Sequence, residues 1–177
     1  MSGRLRITGD EAVERLYREH WDGLVRLATL LLRDRSRAEE IAQDALIAVH
    51  QRWDRIDDPD RALVYVRRTV VNRSRSALRH RAVVERHLTH QRRPEHAPPA
   101  DRPVLADVRR CLVLDALEEL PRRQREVLAL RYYLDLSEAA IAETLGISRG
   151  AVKSHASRGS AALRPLLARL GQDVRDP

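Results

Sequence analysis

The second half of the chain carries a row of short polar and basic side chains at helical spacing. In "GISRGAVKSHASRG", steps of about 100° per residue place Gly150, Lys153, Ser154, Ser157 and Arg158 on one face, with Arg149 at the first turn. Guanidinium, ammonium and hydroxyl groups in such a row donate hydrogen bonds to phosphates and to base edges in a major groove. The chemistry is recognition, with no bond made or broken. No acidic residue occurs between Glu143 and Asp173, which suits a face turned to a polyanion.

A reading row of this kind must be held at a fixed angle by a second helix, and the preceding residues supply one. Ile141, Ala142 and Leu145 form an inner stripe, and Ala142 is small where two helices approach closely. Gly146 fits the left-handed position that ends a helix, Ile147 plugs the turn, and Ser148 caps the next helix. Val152 and Ala156 face inward from that second helix. The spacing predicts a helix-turn-helix.

Two further constellations lie upstream. From Arg61 to Val84 the chain holds Arg61, Arg67, Arg68, Arg73, Arg75, Arg79 and Arg81 and no carboxylate. Solvated helices mix signs, because i,i+4 pairs of opposite charge stabilise them and like charges do not. An acid-free helix therefore points to an anionic partner. Arg68, Arg75 and Arg79 share one face, as do Arg61, Arg68 and Asn72, which matches a nucleic-acid track. Before this comes "AEEIAQDAL", where Glu39, Glu40 and Asp44 sit beside an exposed Gln43. DNA would repel that face, so it reads as solvated or as a protein docking surface.

Helices must position all three sites. Leu16, Leu24, Leu27, Ala28, Leu31 and Leu32 recur along one stripe, and Ser36 with Glu39 has capping-box spacing for the next helix. That helix buries Ile41, Ala45, Ile47 or Val49, and Trp53. Leu112, Ala116, Leu117 and Leu120 make a further stripe, with Pro121 placed to start a new helix. Only 3% of residues are aromatic, Phe is absent, and no stretch alternates with period two. The expected fold is all-α: two small helical domains, residues 10–84 and 107–172. Between them, 85–106 holds four prolines and three histidines, and reads as a flexible linker.

The remaining features narrow the function class. The net charge of +7 over 177 residues favours nucleic acid or an anionic surface. The arginine bias, with Lys153 the only lysine, reads as a genome-composition effect. Cys111 stands alone, so no internal disulfide or thiolate cluster is expected. The histidines lack ligand spacing, no nucleophile arrangement appears, and no Gly-rich phosphate loop is present, so neither catalysis, metal nor cofactor is expected. The opening "MSGRLRITGD" has no apolar targeting stretch and no run is long enough to span a bilayer; a cytoplasmic protein without membrane insertion is expected.

Three stretches in order, "YREHWDGLVRLATLLLRDRSRAEEIAQDALIAVHQRW", "YVRRTVVNRSRSALRHR" and "LEELPRRQREVLALRYYLDLSEAAIAETLGISRGAVKSHASRG", resemble the extracytoplasmic-function sigma factors of bacterial RNA polymerase. The sigma-E-like actinobacterial branch looks nearest. The resemblance covers nearly the whole chain and implies roles. Glu40, Gln43, Asp44 and Ile47 match the helix that docks on the clamp helices of the polymerase largest subunit, with the flap as a second contact for the C-terminal domain. Arg61, Arg68, Asn72, Arg73, Arg75 and Arg79 match the part that melts the −10 element and holds its non-template strand. Arg149, Gly150, Lys153, Ser154, Ser157 and Arg158 match the −35 reader. The family also implies promoter DNA and an anti-sigma protein as partners.

Two departures stand out. "IAQDALIAV" is leaner than the usual core-binding helix, and Gly150 has no side chain with which to read a base. The linker passes a geometric check. Elements about 20 base pairs apart lie roughly 70 Å from each other at ~3.4 Å per step, and the 22 linker residues reach about 70 Å when extended. The alternative reading is a regulator with a LuxR-type helix-turn-helix, which would bind palindromic duplex without polymerase.

Overall fold

The computed structural model describes residues 8–56, 59–88 and 113–173, and every regular element among them is helical. α1, Gly9–Leu32, opens on a capping box: Thr8 Oγ1 accepts from the Glu11 backbone N–H at 3.3 Å and the Glu11 carboxylate accepts from the Thr8 N–H at 2.8 Å. Its apolar stripe, including Leu16, Leu24, Leu27, Ala28, Leu31 and Leu32, is buried as the spacing predicts. Arg33 ends it in the left-handed region at φ 57°, and the chain reverses at once.

α2, Arg35–His50, is capped by Asp34, whose side chain accepts from the Arg37 N–H at 2.9 Å. The cap is thus two residues earlier than the expected Ser36. The left-handed Arg33 leaves Asp34 extended, and a carboxylate caps as well as a hydroxyl. Ile41, Ala45 and Val49 face the core, while Ile47 is 45% exposed. A short 3-10 turn, Trp53–Arg55, leads towards α3, Pro59–Leu88. This helix takes in the first four residues assigned to the linker, where Arg81 and Glu85 form an i,i+4 pair at 2.8 Å. The linker residues from 89 onward lie outside the described ones.

The second half begins with helical residues 113–118, here α4, followed by α5, Arg122–Leu128, which starts just after Pro121 as expected. α5 runs directly into a π-helical turn, Ala129–Tyr133. The wider turn keeps Ala129 and Leu130 in the core and leaves Tyr132 and Tyr133 on the outside. α6, Glu138–Leu145, and α7, Arg149–Asp173, complete the chain.

The two halves share one apolar core. Leu24, Leu27, Val66 and Val70 from the first half belong to the same buried cluster as Val127, Leu130, Ile141 and Val152 from the second. α3 packs on α6, and α1 on the π-helical turn. In α1, a Cβ on Gly23 would stand 3.4 Å from the Leu134 methyl.

Candidate nucleic-acid interface

The helix-turn-helix is built as its sequence predicts. Ser137 caps α6, accepting from the Ala140 N–H at 3.2 Å. Gly146 takes φ 65°, and the Ile147 N–H donates back to the Ala142 carbonyl at 3.0 Å, which turns the chain between the helices. Ser148 caps α7 by accepting from the Ala151 N–H at 3.1 Å. Val152 and Ala156 are buried against the core, so the opposite side of α7 is fixed outward.

That outward side carries the expected row. Arg149, Gly150, Lys153, Ser157 and Arg158 are exposed, and Ser154 is half-buried at the edge. Arg158 donates to Ser154 Oγ at 2.6 Å, which orients its guanidinium along the helix. Glu138, absent from the sequence reading, lies beneath the row. Its carboxylate is 3.8 Å from Lys153 and 3.7 Å from Arg131. At such lengths the pairs are weak, and Lys153 stays available to a phosphate.

The α3 face departs from its sequence reading. The arginines lack partners on their own helix up to Val84, but the fold supplies carboxylates from elsewhere. Arg73 donates to Asp44 of α2 at 2.6 Å. Arg75 makes two parallel bonds to Glu126 of α5, both 2.7 Å, and a third to Asn72 Oδ1 at 3.0 Å. Arg79 donates to Ser76 at 2.9 Å, and Arg81 reaches Glu85. The charge on this helix is therefore not unrelieved. Arg61 and Arg68 are exposed, and Arg68 lies close to the turn of the helix-turn-helix, 3.9 Å from where a Gly146 Cβ would be. Arg67 is half-buried, and burial lowers its pKa from the usual arginine value.

Glu126 is the second residue that sequence reasoning missed. Its side chain is 1% exposed, surrounded by Arg75, Arg123 at 3.2 Å and Arg122 at 3.6 Å. Spacing pairs it with Arg122 and Arg123 on its own helix, so nothing in the sequence marks it as a contact between halves. A second bridge joins them: Arg33, at the end of α1, pairs with Asp115 at 2.5 Å and Glu118 at 2.7 Å. Hydrogen bonding to Glu118 raises the Arg33 pKa above its usual value. Arg125 adds a bond to the Glu118 carbonyl at 2.6 Å.

On α2, Glu40, Gln43, Asp44 and Ile47 all lie on the exposed side, spaced to form one patch. Glu40 is paired with Arg37 and Asp44 with Arg73, so the acidic face is partly neutralised at its edges. Ile47 gives it an apolar centre. Among the described residues no group of acidic, His or Cys side chains could hold a metal, and no helix is long and apolar enough to cross a membrane.

A capped helix-turn-helix joined to a helical half with a basic face and a separate acidic face defines an all-α DNA-binding protein with a second, protein-facing surface. Two family profiles match it: "Sigma-70 region 2" over residues 16–83 and "Sigma-70, region 4" over 112–163. The "RNA polymerase sigma-E factor" of Streptomyces coelicolor is 33% identical over 92% of this chain and 89% of its own. The "ECF RNA polymerase sigma factor SigL" of Mycobacterium tuberculosis is 35% identical over 94% of this chain and 97% of its own. The sigma factor RpoE of Bartonella quintana, solved with the anti-sigma factor NepR, has the same fold. It superposes with a TM-score of 0.69 at 22% identity, covering 88% of this chain and 96% of that one.

The chain belongs to the sigma-70 family, in its extracytoplasmic-function group. It is a sigma factor: it binds core RNA polymerase and promoter DNA and directs transcription initiation. The LuxR-type regulator is not favoured, since both halves match sigma regions.

Proposed function

We propose that this sigma factor grips a promoter at two points while a third face holds the polymerase. The division of labour is 10–84 for polymerase docking and the −10 element, 85–106 as the connection, and 107–172 for the −35 element. Arg149, Lys153, Ser154, Ser157 and Arg158 read the −35 element, and Gly150 lets the helix backbone approach the groove. Arg61, Arg68, Asn72, Arg73, Arg75 and Arg79 hold the non-template strand of the −10 element. Melting is driven by capture of unpaired bases, without catalysis by this chain.

Glu40, Gln43, Asp44 and Ile47 form the docking patch for the clamp helices of the largest subunit. A carboxylate and amide rim around an exposed isoleucine suits a protein partner. The C-terminal domain touches the flap. An anti-sigma protein is a further partner, supported by the RpoE relative having been solved with one. The factor works where the polymerase does, in the cytoplasm.

The observation that carries this reading is the exposed, acid-free row on α7, pinned outward by buried Val152 and Ala156. The test adds purified protein to sigma-free core polymerase and sequences transcripts from a promoter library. Transcripts from a defined −10/−35 pair are expected, with the −35 preference lost in Arg149→Ala. Tight binding of a palindrome by the protein alone, without core-dependent transcripts, would overturn it.

A further inference from the structure

The surface that region 4 turns towards region 2 is acidic and apolar, and the structure shows its occupant. Glu126, Asp115 and Glu118 meet Arg75 and Arg33, while Leu130 and Ile141 enter a core with Leu24 and Val70. Every inter-half ion pair among the described residues runs from an arginine of the first half to a carboxylate of the second. The partner that fits this surface is the chain's own strand-holding face.

We propose that this contact is an autoinhibitory latch: in the free sigma factor, region 4 covers the −10 face, and Glu126 occupies Arg75 in place of the DNA strand. The inhibitory role rests on the assignment of Arg68, Asn72 and Arg75 to that strand. Three observations meet here. The Arg75 side chain is only 14% exposed, with both of its terminal donors directed at Glu126. Asn72 spends its side-chain carbonyl on the same guanidinium. Arg68 lies beside the helix-turn-helix turn. Half of the six strand-holding residues are thereby engaged or overlaid.

The latch is built to open. A buried ion pair returns its desolvation cost only through its own attraction, so separating it into water is close to neutral. Glu126 also keeps Arg122 and Arg123 when Arg75 leaves, so no buried charge is stranded in the open form. A phosphate track or a polymerase surface that binds only the open form shifts the equilibrium by its preference for that form. Closure thus suppresses binding of stray single strands until polymerase separates the halves.

Two variants open the latch without touching the strand-holding residues. Glu126→Gln keeps the shape and removes the charge. Gly23→Gln drives a side chain from α1 into Leu134, while replacing glycine inside a helix favours that helix. Circular dichroism checks that both stay folded. Small-angle scattering on the full chain reads closure directly, since a compact chain of 177 residues has a radius of gyration of about 16 Å. Fluorescence anisotropy with a mixed-sequence single-stranded DNA oligonucleotide reads access to the face.

Both variants are expected to expand. Both should also bind the oligonucleotide about tenfold more tightly, because apparent affinity scales with the competent fraction. A parent chain that is already expanded, or variants as compact as the parent, would overturn the latch and leave core-dependent transcription as evidence for the sigma reading. Expansion with no gain in oligonucleotide binding would overturn the inhibitory role by removing the strand-holding assignment beneath it.

Discussion

The Asp44 carboxylate accepts a hydrogen bond from Arg73 at 2.6 Å, tying the polymerase-docking face of α2 to the strand-holding face of α3. Both side chains are about half exposed, so the pair adds at most about 1 kcal/mol. Its importance is positional: one contact sets the spacing of two surfaces that face different partners.

Asp44→Arg places two guanidiniums where a pair stood and removes a carboxylate from the docking patch. Association with core polymerase should fall at least about tenfold, a loss of about 1.4 kcal/mol, while the melting temperature drops by about 2–4 °C. Co-purification and thermal melting measure the two effects separately. Unchanged association would take Asp44 out of the docking face.

On α7 the two exposed cations should behave differently. Lys153 stands over Glu138 and is placed to meet a phosphate, so Lys153→Ala should weaken promoter binding at all sequences. The slope of log affinity against log salt should become shallower by about 1. Arg149→Ala should instead change which −35 sequences are preferred. Binding titrations on a randomised −35 library at several salt concentrations separate the two; identical profiles would cancel the distinction.

Gly146→Ala forces a Cβ into the left-handed region at φ 65°. The cost is about 1–2 kcal/mol, read as a lower melting temperature, and Gly146→Asn should lose less. The turn between α6 and α7 would be wrongly described if alanine were neutral.

Two glycines of α7 should respond with opposite sign. A Cβ on Gly150 meets nothing nearer than Ser148 Oγ at 3.9 Å, so Gly150→Ala should be neutral or raise stability by up to about 1 kcal/mol. A Cβ on Gly159 would sit 3.0 Å from Leu128 and 3.1 Å from Gln124. Gly159→Ala overpacks the contact between α5 and α7 and should lower stability by about 1–3 kcal/mol. Thermal melting of the pair decides it.

Local signals were the legible ones. The α1 stripe, the Gly146 turn and the Ser148 cap depend on residues within a few positions of each other, and periodicity exposes them. The cap of α2 was misplaced because Ser36 and Asp34 both offer an oxygen, and only the left-handed Arg33 selects between them. The arginines of α3 were read as lacking carboxylate partners because sequence spacing reveals only neighbours three or four positions away. Glu126 lies 51 residues from Arg75, and its nearer arginines disguise it as an ordinary surface glutamate. Leu130 and Ile141 were equally opaque: an apolar stripe announces that it is buried but not which half of the chain covers it.

The single core has a consequence for how the protein comes apart. With Leu24, Val70, Leu130 and Ile141 in one cluster, the free factor should melt in one calorimetric transition. Once polymerase divides that cluster, each half must stand on its own smaller interior, and the factor becomes two foldons where there was one. Release from the enzyme then exposes apolar surface until the halves meet again, and a cellular protease has that interval in which to end the transcriptional response.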